Sequence, residues 1–559
     1  MDTSYTESPR LSIVKDKWER SATAKLVSDF ALKDQIVSQR DFAKSTSVPR
    51  STLRYWLSRK DGIDADPFLV EFFENPTGVA FLHRLVTAAH ICFTKEGTAS
   101  IHNISDFLER SGLSAFVASS YSTQRRVSEQ LDDAIIEFGK SETKRLGEQM
   151  PAKKITLCED ETFHPETCLV SIEPVSNFIL FERYAPNRET RTWNEAVHDA
   201  IENLPVEVIQ VASDEGRSLI SHALKGLKVH HSPDCFHVIY EIGKGTCGAL
   251  AAQVKKAEKE YEKTIQQTVR VESEKETFDN LEKRPQGRRP NFEKRIEQAK
   301  QKQQGAKEDL EQAHLNQETV QNAKAEIGNI YHPYDLKTGQ KQEPETVSEL
   351  LSDCFEKIYG ATTDLSDRCK DHVKKSERVL NSMISTLAFF FQMVNIYLEN
   401  MRLSDRDKYL MQNYLIPGYY LKLAAGKERD VDRKADILEK AQELLSILEY
   451  LKDTGHGRPD CTIEELKKTA RECAQLFQRS SSCVEGRNAQ LALRHQGIHR
   501  LTDRHLQALT VVHNYYIKRR DGTTAAERFF EAKHRDLFEF LLDTLDYPAR
   551  PRTMLKLAA

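Results

Sequence analysis

The sequence predicts an α/β core with a mixed sheet, preceded by an all-α region and interrupted by a large all-α insertion. Three observations lead to this class. Apolar and polar residues alternate with the period of a strand from residue 151 onward. Strands and helices then follow in the order β-β-β-α-β-α-β-α up to residue 247, and residues 248–475 have almost no strand signal. We therefore divide the chain into 1–62, 63–150, 151–247, 248–475, 476–545 and a tail, 546–559.

The composition limits the functions to be considered. The 559 residues include 81 Lys and Arg and 85 Asp and Glu, a formal net charge of −4. A uniformly basic DNA-coating protein is excluded, and contacts with nucleic acid must come from local basic patches. Residues 1–10 lack the apolar segment of a signal peptide, and the apolar stretch Leu387–Leu398 is too short to span a bilayer. Ten cysteines without a CxxC pair favour free thiols, so we expect a cytoplasmic protein without membrane contact.

Residues 1–62 are locally basic and contain two short predicted helices. Ser38 is the expected N-cap of the first, and Val48–Leu57, with Pro49 in its first turn, is the second. A small core of Phe42, Ala43, Val48, Leu53 and Leu57 leaves five side chains facing outward, and these suit phosphate and base-edge contacts: Arg50, Ser51, Thr52, Arg54 and Tyr55. The pattern is typical of a helix-turn-helix that places its second helix in a DNA major groove. A helical hairpin within a larger bundle is the alternative.

Residues 63–150 are predicted to be helical. Ile104–Leu108 and Tyr121–Val127 flank a Ser-Gly turn and repeat the earlier pattern. This segment is either a second helix-turn-helix or a helical spacer.

The next segment contains five predicted strands: Lys154–Asp160, Thr167–Glu173, Phe178–Tyr184, Val206–Asp214 and Lys228–Asp234. Asp160 ends the first strand and Asp214 the fourth, and these two strands are neighbours in a sheet of this order. Two adjacent carboxylates repel and need a cation between them. Oxygen ligands suit Mg²⁺ or Mn²⁺, and Glu485 from a later helix would complete a two-metal site for phosphodiester attack. For a single aspartate at a strand end, a helix cap or turn is the alternative.

The helical insertion begins with two arms of 4-3 apolar spacing, from Leu250 to Phe278 and from Phe292 to Val320. We expect an antiparallel coiled-coil hairpin with a basic tip at 284–290, which either touches DNA or is a solvated turn. Further helices are predicted at 347–359, 371–403, 431–452 and 462–478. Residues 476–545 then carry Glu485 on a helix with a basic face, followed by helices at 506–517 and 525–545.

Two other signals compete with the acidic site. Gly243–Gly248 matches the GxGxxG dinucleotide pattern but follows a predicted helix, so a simple helix break is favoured. His230, His231, Cys235 and His237 lie close to Asp234, but a zinc site would need further converging ligands. Glu159, Glu161 and Glu215 alternate away from the acids, which favours solvated or supporting roles.

Several segments together resemble the DDE transposases of bacterial insertion sequences. The similar segments are Leu157–Thr162, Val211–Gly216, Asp234–Val238, Ser481–Asn488 and Asp521–Arg528. Asp160 and Asp214 are 54 residues apart, which is normal for the family. Asp214 and Glu485 are 271 residues apart, far more than in compact members. Some relatives carry an insertion domain there, and residues 248–475 occupy that place.

The resemblance implies an RNase H-like core that binds transposon ends, cleaves them to free a 3′-OH and joins that end to target DNA. It implies that Asp160, Asp214 and Glu485 hold Mg²⁺, for which Mn²⁺ substitutes. Asp234 and His237 would be auxiliary, and Arg487, Asn488 and Arg494 would contact DNA. The expected partners are double-stranded DNA and further copies of the chain, in a homodimer or higher oligomer at the nucleoid. The alternatives are a DNA-binding regulator derived from an inactive transposase, or an RNase H-like nuclease.

Overall fold

The computed structural model of the chain describes residues 20–34, 36–163, 166–282, 287–288, 290–401, 403–449, 462–497 and 501–551. One sheet contains β1 (Lys153–Phe163), β2 (Thr167–Glu173), β3 (Phe178–Tyr184), β4 (Val206–Ser213) and β5 (His230–Pro233). Its strand order is β3-β2-β1-β4-β5. β1, β2 and β3 pair antiparallel, whereas β1 pairs parallel with β4 and β4 pairs parallel with β5. The predicted order of elements and the adjacency of the first and fourth strands are confirmed.

The N-terminal helices begin with α1 (Arg20–Lys33), α2 (Gln39–Ser45) and α3 (Arg50–Ser58). The Ser38 hydroxyl accepts a hydrogen bond from the Asp41 backbone N–H, so the predicted N-cap is confirmed. Pro49 is the N-cap residue of α3. The predicted core residues are buried and Leu57 packs against them, but Trp56 also joins this core, which the sequence did not predict.

The following helices are α4 (Pro67–Phe73), α5 (Pro76–His90), α6 (Ile101–Arg110) and α7 (Tyr121–Gln149). Phe138 of α7 is fully buried in the same apolar cluster as Leu157 of β1 and Val211 of β4. The boundary predicted at residue 150 therefore separates residues that share one core. One face of α7 is occupied by this packing, which favours the helical-spacer interpretation over a second helix-turn-helix.

Two short helices connect the parallel strands: α8 (Thr190–Ile201) and α9 (Arg217–Ser221). Trp193 of α8 is fully buried with Leu169 of β2 and Leu219 of α9. These contacts hold the crossover connections against one face of the sheet, close to the end of β4.

The helical insertion contains nine described helices: α10 (Cys235–Asp279), α11 (Phe292–Ile330), α12 (Pro344–Ala361), α13 (Asp367–Glu377), α14 (Leu380–Asn400), α15 (Asp405–Leu410), α16 (Ile416–Lys427), α17 (Val431–Leu445) and α18 (Ile463–Gln475). α10 and α11 form the predicted hairpin, with Val254 and Val271 buried on one arm and Ala299 and Ala306 on the other. The predicted helix at 371–403 is two helices, and α16 was not predicted. The basic tip lies largely outside the described residues.

The break predicted at Gly243–Gly248 is wrong, because α10 continues through it. A Cβ atom at Gly245 would lie 2.6 Å from the His372 Cβ and 2.9 Å from the Cys369 carbonyl oxygen. The glycine therefore allows α13 to approach α10 closely. The backbone N–H groups of this segment belong to a helix interior, so they do not form a phosphate-binding loop.

One apolar helical segment, Asp367–Asn400, is long enough to cross a membrane by length and composition alone. It comprises α13 and α14 and the turn between them. Met383, Leu387 and Phe390 of α14 are fully buried in the main apolar cluster of the insertion. These side chains face the interior of the insertion.

The chain ends with α19 (Ser482–Gly497), α20 (Asp503–Tyr515), α21 (Ala525–Phe530) and α22 (Leu537–Thr544). The Asn514 side chain accepts a hydrogen bond from the Ile179 backbone N–H and donates one to its carbonyl, both at 2.9 Å. α20 is thereby fixed to β3, and α19, which precedes it, crosses the sheet beside β1.

Candidate active site

Adjacent parallel strands bring Asp160 and Asp214 together. In the β1–β4 ladder Glu159 pairs with Ser213, so the next residues, Asp160 and Asp214, lie at the same level of the sheet. Each carboxylate is fixed by a backbone N–H at 2.9 Å, from Glu161 to Asp160 and from Gly216 to Asp214. A Cβ at Gly216 would lie only 2.8 Å from the Asp214 Oδ1, which explains the glycine two residues after the acid.

Asp160 lies in an environment that disfavours its negative charge. Burial, followed by repulsion from Asp214, raises the pKa of Asp160 to about 7. Two half-buried carboxylates at the same level of adjacent strands repel each other, and a cation between them would relieve that repulsion. The donor set consists of oxygen atoms, which is what Mg²⁺ and Mn²⁺ prefer. The residues present therefore fit a divalent cation.

Asp234 ties the start of α10 to the loop before α19. Its Oδ1 accepts a hydrogen bond from the Phe236 N–H at 2.7 Å and so caps α10. Its Oδ2 accepts hydrogen bonds from the Ser481 N–H at 2.9 Å and from the Ser481 hydroxyl at 2.5 Å. With both oxygens engaged by protein, Asp234 supports the site and is a poor candidate for a metal ligand.

His237 lies between Asp234 and Glu485. Its Nδ1 is 3.5 Å from the Asp234 Oδ2 and 3.7 Å from the Glu485 Oε1. The contact with Asp234 raises the pKa of His237 to about 9 against the opposing effect of burial, and the charges of Asp214 and Glu485 add to it. One ligand atom from each of Asp234, His237 and Glu485 lies within 4.8 Å of the others. The predicted auxiliary residues Asp234 and His237 thus lie next to Glu485, the predicted third acid.

Glu485 reaches this cluster from the first turn of α19. Burial, and then the charge of Asp234, raises the pKa of Glu485, while His237 opposes the shift. His237 also lowers the pKa of Asp160 by its charge. The charge of His237 thus interacts with Asp160, Asp214 and Glu485, which are half-buried acids from β1, the end of β4 and α19.

Asn488, one turn after Glu485, contacts an acid of the site. Its side-chain amide donates a 2.9 Å hydrogen bond to the Asp160 Oδ2. Its Oδ1 is buried and has no hydrogen-bond partner among the described residues. The DNA contact predicted for Asn488 is replaced by a bond to the candidate ligand Asp160.

Arg487 and Arg494 have buried structural partners in place of the predicted DNA phosphates. Arg487 makes a two-pronged ion pair with Glu182 of β3, at 2.5 and 2.7 Å. Arg494 donates to the carbonyl oxygens of Thr94, Lys95, Glu96 and Gly97, where the helix that continues α5 ends. The side chains of both arginines are largely removed from solvent, so neither presents its charge at the surface. From the sequence alone, an arginine in a basic segment is expected to face solvent. Its buried partners could not be predicted, because they lie on a strand and a helix end hundreds of residues away.

The outward face predicted for the helix-turn-helix is available on α3. Arg50, Ser51, Arg54 and Tyr55 are exposed and Thr52 is half-buried. Leu53 and Trp56 are buried on the opposite side. The second helix therefore has one apolar face against α1 and α2 and one polar, basic face toward solvent.

The residues of the competing zinc pattern are separated by packing. His230 stacks on Phe389 of α14, with ring centroids 4.4 Å apart, and its Nε2 is 3.0 Å from the Thr386 hydroxyl. The His231 Nε2 is 2.9 Å from the Ser213 hydroxyl, and Cys235 is buried in the core of the insertion. Of this group, His237 is the one whose side chain lies beside Glu485.

Sequence reasoning missed two buried polar groups. Glu159, expected to be solvated or supporting, is fully buried with its Oε2 3.3 Å from the His222 Nε2, directly behind Asp160 on β1. Lys95 is also fully buried and pairs with Asp132, which His505 of α20 contacts at 3.1 Å. An acidic residue at the inward position of a buried strand was the available signal for Glu159. No local pattern marked Lys95.

Comparison with known proteins adds one partial match. Residues 411–557 match a family model described as a family of unknown function, DUF6399. The matched part contains Glu485 and Asn488 but neither Asp160 nor Asp214. No curated protein matches the chain.

Proposed function

We propose that this protein is a DNA transposase with an RNase H-like core, which cleaves transposon ends and transfers the freed strand to target DNA. The observation that carries the proposal is that Asp160 and Asp214 lie side by side on neighbouring parallel strands, and that His237, whose charge interacts with both, lies beside Glu485 of α19. The strand order with Asp160 on the central strand supports the same fold, and the exposed basic face of α3 supports DNA binding. The proposed setting is the cytoplasm at the nucleoid, with two or more copies assembled on paired ends.

Each side chain of the cluster has a role in this proposal. Asp160, Asp214 and Glu485 would hold divalent cations, Mg²⁺ or Mn²⁺, which supply charge stabilisation at the phosphate and an activated oxygen nucleophile. Asn488 orients Asp160 through its 2.9 Å hydrogen bond. His237 presents a positive charge at the edge of the acids, where a DNA phosphate would approach. Asp234 holds His237 and the Ser481 loop in place.

The proposal is tested by removing one carboxylate at a time without changing its shape. Asp160→Asn, Asp214→Asn and Glu485→Gln should each abolish cleavage and strand transfer on DNA taken from both sides of the coding sequence, in Mg²⁺ or Mn²⁺. DNA binding in Ca²⁺ should remain, because it rests on other modules. The matched control is Glu207→Gln, an exposed acid on the same strand that precedes Asp214, and it should cleave normally.

Two results would contradict the proposal. Cleavage by the Glu485→Gln protein would show that Glu485 is not one of the catalytic acids. A wild-type protein that binds these DNA ends but cleaves none of them in either metal would be a DNA-binding regulator.

A further inference from the structure

Two aromatic side chains stand exposed on the first two turns of α10, at the edge of the acidic cluster. Phe236 is 52% exposed and Tyr240 is 56% exposed. Their ring centroids are 6.2 Å apart and the ring planes differ by only 20°. Because positions i and i+4 of a helix lie on one face, the two rings lie next to each other with nearly parallel planes and form one exposed apolar patch. We call Phe236 and Tyr240 the aromatic platform.

The other faces of α10 at this level are already occupied. Cys235, Val238 and Ile242 are buried in the core of the insertion. Ile239 packs against that core, with its Cδ1 near the position of a Cβ on Gly328 of α11. The aromatic platform is therefore the face of α10 that no described element covers. Contiguous exposed apolar surface is a feature of interaction sites, whereas isolated exposed apolar side chains are not.

The platform borders the residues assigned to catalysis. The Phe236 ring centroid is 6.1 Å from that of His237, and the His237 Nδ1 is 3.7 Å from the Glu485 Oε1. Phe236 thus lies next to His237, which in turn lies next to Glu485. A strand whose phosphate lies at the acids would place its neighbouring base over these rings.

The charges around the platform suit a polyanion. Lys244 lies one turn beyond Tyr240 on the same face of α10. Glu241, the acid nearest the rings in sequence, is engaged by the His372 Nδ1 at 2.8 Å and by the Lys375 Nζ at 3.3 Å. Its negative charge is therefore compensated, and it does not repel a DNA backbone passing along this face.

We propose that Phe236 and Tyr240 stack an unpaired nucleobase of the DNA strand whose phosphate lies at Asp160, Asp214 and Glu485. A base inside a duplex is already stacked, so the platform selects a base that is frayed or turned out next to the cleavage point. Aromatic stacking is tolerant of base identity because every base has a π-face. The inference rests on the proposed function, since it takes DNA as the substrate of the acidic site.

The test compares a forked DNA, which has one unpaired arm, with a blunt duplex of the same sequence. A 2-aminopurine at the first unpaired position reports stacking, and Ca²⁺ replaces Mg²⁺ to prevent cleavage. Wild-type protein should prefer the fork and change the 2-aminopurine fluorescence. Phe236→Ala with Tyr240→Ala should weaken fork binding by roughly 5- to 150-fold and remove the fluorescence change, with blunt-duplex binding unchanged.

Matched variants separate stacking from general damage. Phe236→Tyr and Tyr240→Phe keep a ring and should behave like wild type, whereas Phe236→Leu with Tyr240→Leu keeps apolar bulk and should fail like the alanines. Phe68→Ala with Phe72→Ala removes two exposed rings from α4, away from the site, and should have no effect. Thermal unfolding of each variant shows whether it is folded.

The outcomes distinguish this inference from the proposed function. Alanine variants that bind the fork and report stacking like wild type overturn the platform, whether or not the protein cleaves DNA. Alanine variants with normal fork binding but a changed oligomeric state overturn it in favour of contact with a second copy. If the alanine variants lose fork binding but the wild-type protein never cleaves DNA, the stacking role of Phe236 and Tyr240 stands and the catalytic assignment is overturned. A wild type that binds no DNA overturns both.

Discussion

The side-chain amide of Asn488 donates a 2.9 Å hydrogen bond to the carboxylate of Asp160, although the two residues are 328 positions apart in the chain. The bond joins α19, which carries Glu485, to the central strand β1. A donor aimed at a carboxylate favours its ionised form. Asn488 therefore works against the burial and the repulsion that raise the pKa of Asp160 to about 7, and it fixes the direction in which Asp160 faces the other acids.

Replacing Asn488 should impair the site without unfolding the protein. Asn488→Ala leaves Asp160 without this donor, and loss of such a supporting partner typically costs 10- to 100-fold in metal affinity or activity. Isothermal titration with Mn²⁺ should show the loss directly, and DNA cleavage should fall in parallel. Gln496→Ala, at an exposed position of the same helix, is the control. Normal Mn²⁺ affinity in Asn488→Ala would show that metal binding does not depend on the hydrogen bond from Asn488 to Asp160.

The buried ion pair of Arg487 with Glu182 should be important for stability. Burial alone would raise the pKa of Glu182, but the charge and hydrogen bonds of Arg487 outweigh it and lower that pKa. Removing one partner leaves an uncompensated buried charge, so Arg487→Ala should destabilise the protein by about 3–5 kcal/mol. Thermal unfolding should show the loss, and Arg191→Ala, from an exposed pair with Glu195, should change nothing. An unfolding temperature unchanged in Arg487→Ala would contradict the buried assignment.

Low pH should destabilise the protein, because several of its histidines are buried in the neutral form. Burial is the first cause that lowers the pKa of His90, His230 and His513 from 6.5 to about 4. The unfolded chain therefore binds more protons than the folded one between pH 6.5 and 4, so stability is present above pH 6.5 and is lost as pH falls toward 4. The thermal transition should fall steeply across this window, and less steeply in His230→Gln. A transition that stays constant from pH 7 to pH 5 would refute this.

Sequence periodicity was sufficient for the elements that have one apolar face. The order of strands and helices along the chain follows from strand alternation, and the helical crossovers indicate which strands are parallel. The hairpin arms follow from 4-3 spacing, because Val254, Thr264 and Val271 are buried where that spacing places them. The placement of Asp160 beside Asp214 needed nothing beyond these two patterns.

The remaining features depend on contacts that no local pattern encodes. Arg494 was assigned to DNA because it stands in a basic segment, but its partners are four carbonyl oxygens at a helix end 400 residues earlier. Gly245 was read as a helix break, but it is the point where α13 approaches α10. In both cases the residue type indicates a structural requirement, a charge partner for Arg494 and space for Gly245. It does not indicate which distant segment of the chain meets that requirement.

DNA recognition by α3 can be tested through its salt dependence. Arg50 and Arg54 are exposed one turn apart, and each would release about one counterion on contacting a phosphate. Arg50→Ala with Arg54→Ala should weaken binding and reduce the slope of log K against log salt by about 2. Lys25→Ala with Lys33→Ala removes the same charge from exposed positions of α1 and should have a smaller effect. An unchanged slope in the arginine variant would move recognition away from α3.

The hairpin should serve assembly rather than folding of the core. α10 has 45 residues and rises about 68 Å from the acidic cluster. Among the described residues, its outer part packs against α11, through contacts such as Arg295 with Glu274 at 2.7 Å. Val269 and Leu315 remain 58% and 55% exposed on its arms, as expected for a surface that meets a second copy. Deleting residues 252–324 and joining the ends by a short linker should leave a folded, DNA-binding protein, because Leu250 and Ile327, which anchor the base of the two arms in the core of the insertion, are kept. Light scattering should then show a smaller oligomer on paired DNA ends, and Val269→Glu with Leu315→Glu should reproduce the effect without deletion. A deleted protein that assembles and joins strands like wild type would show that the hairpin has no part in pairing the ends.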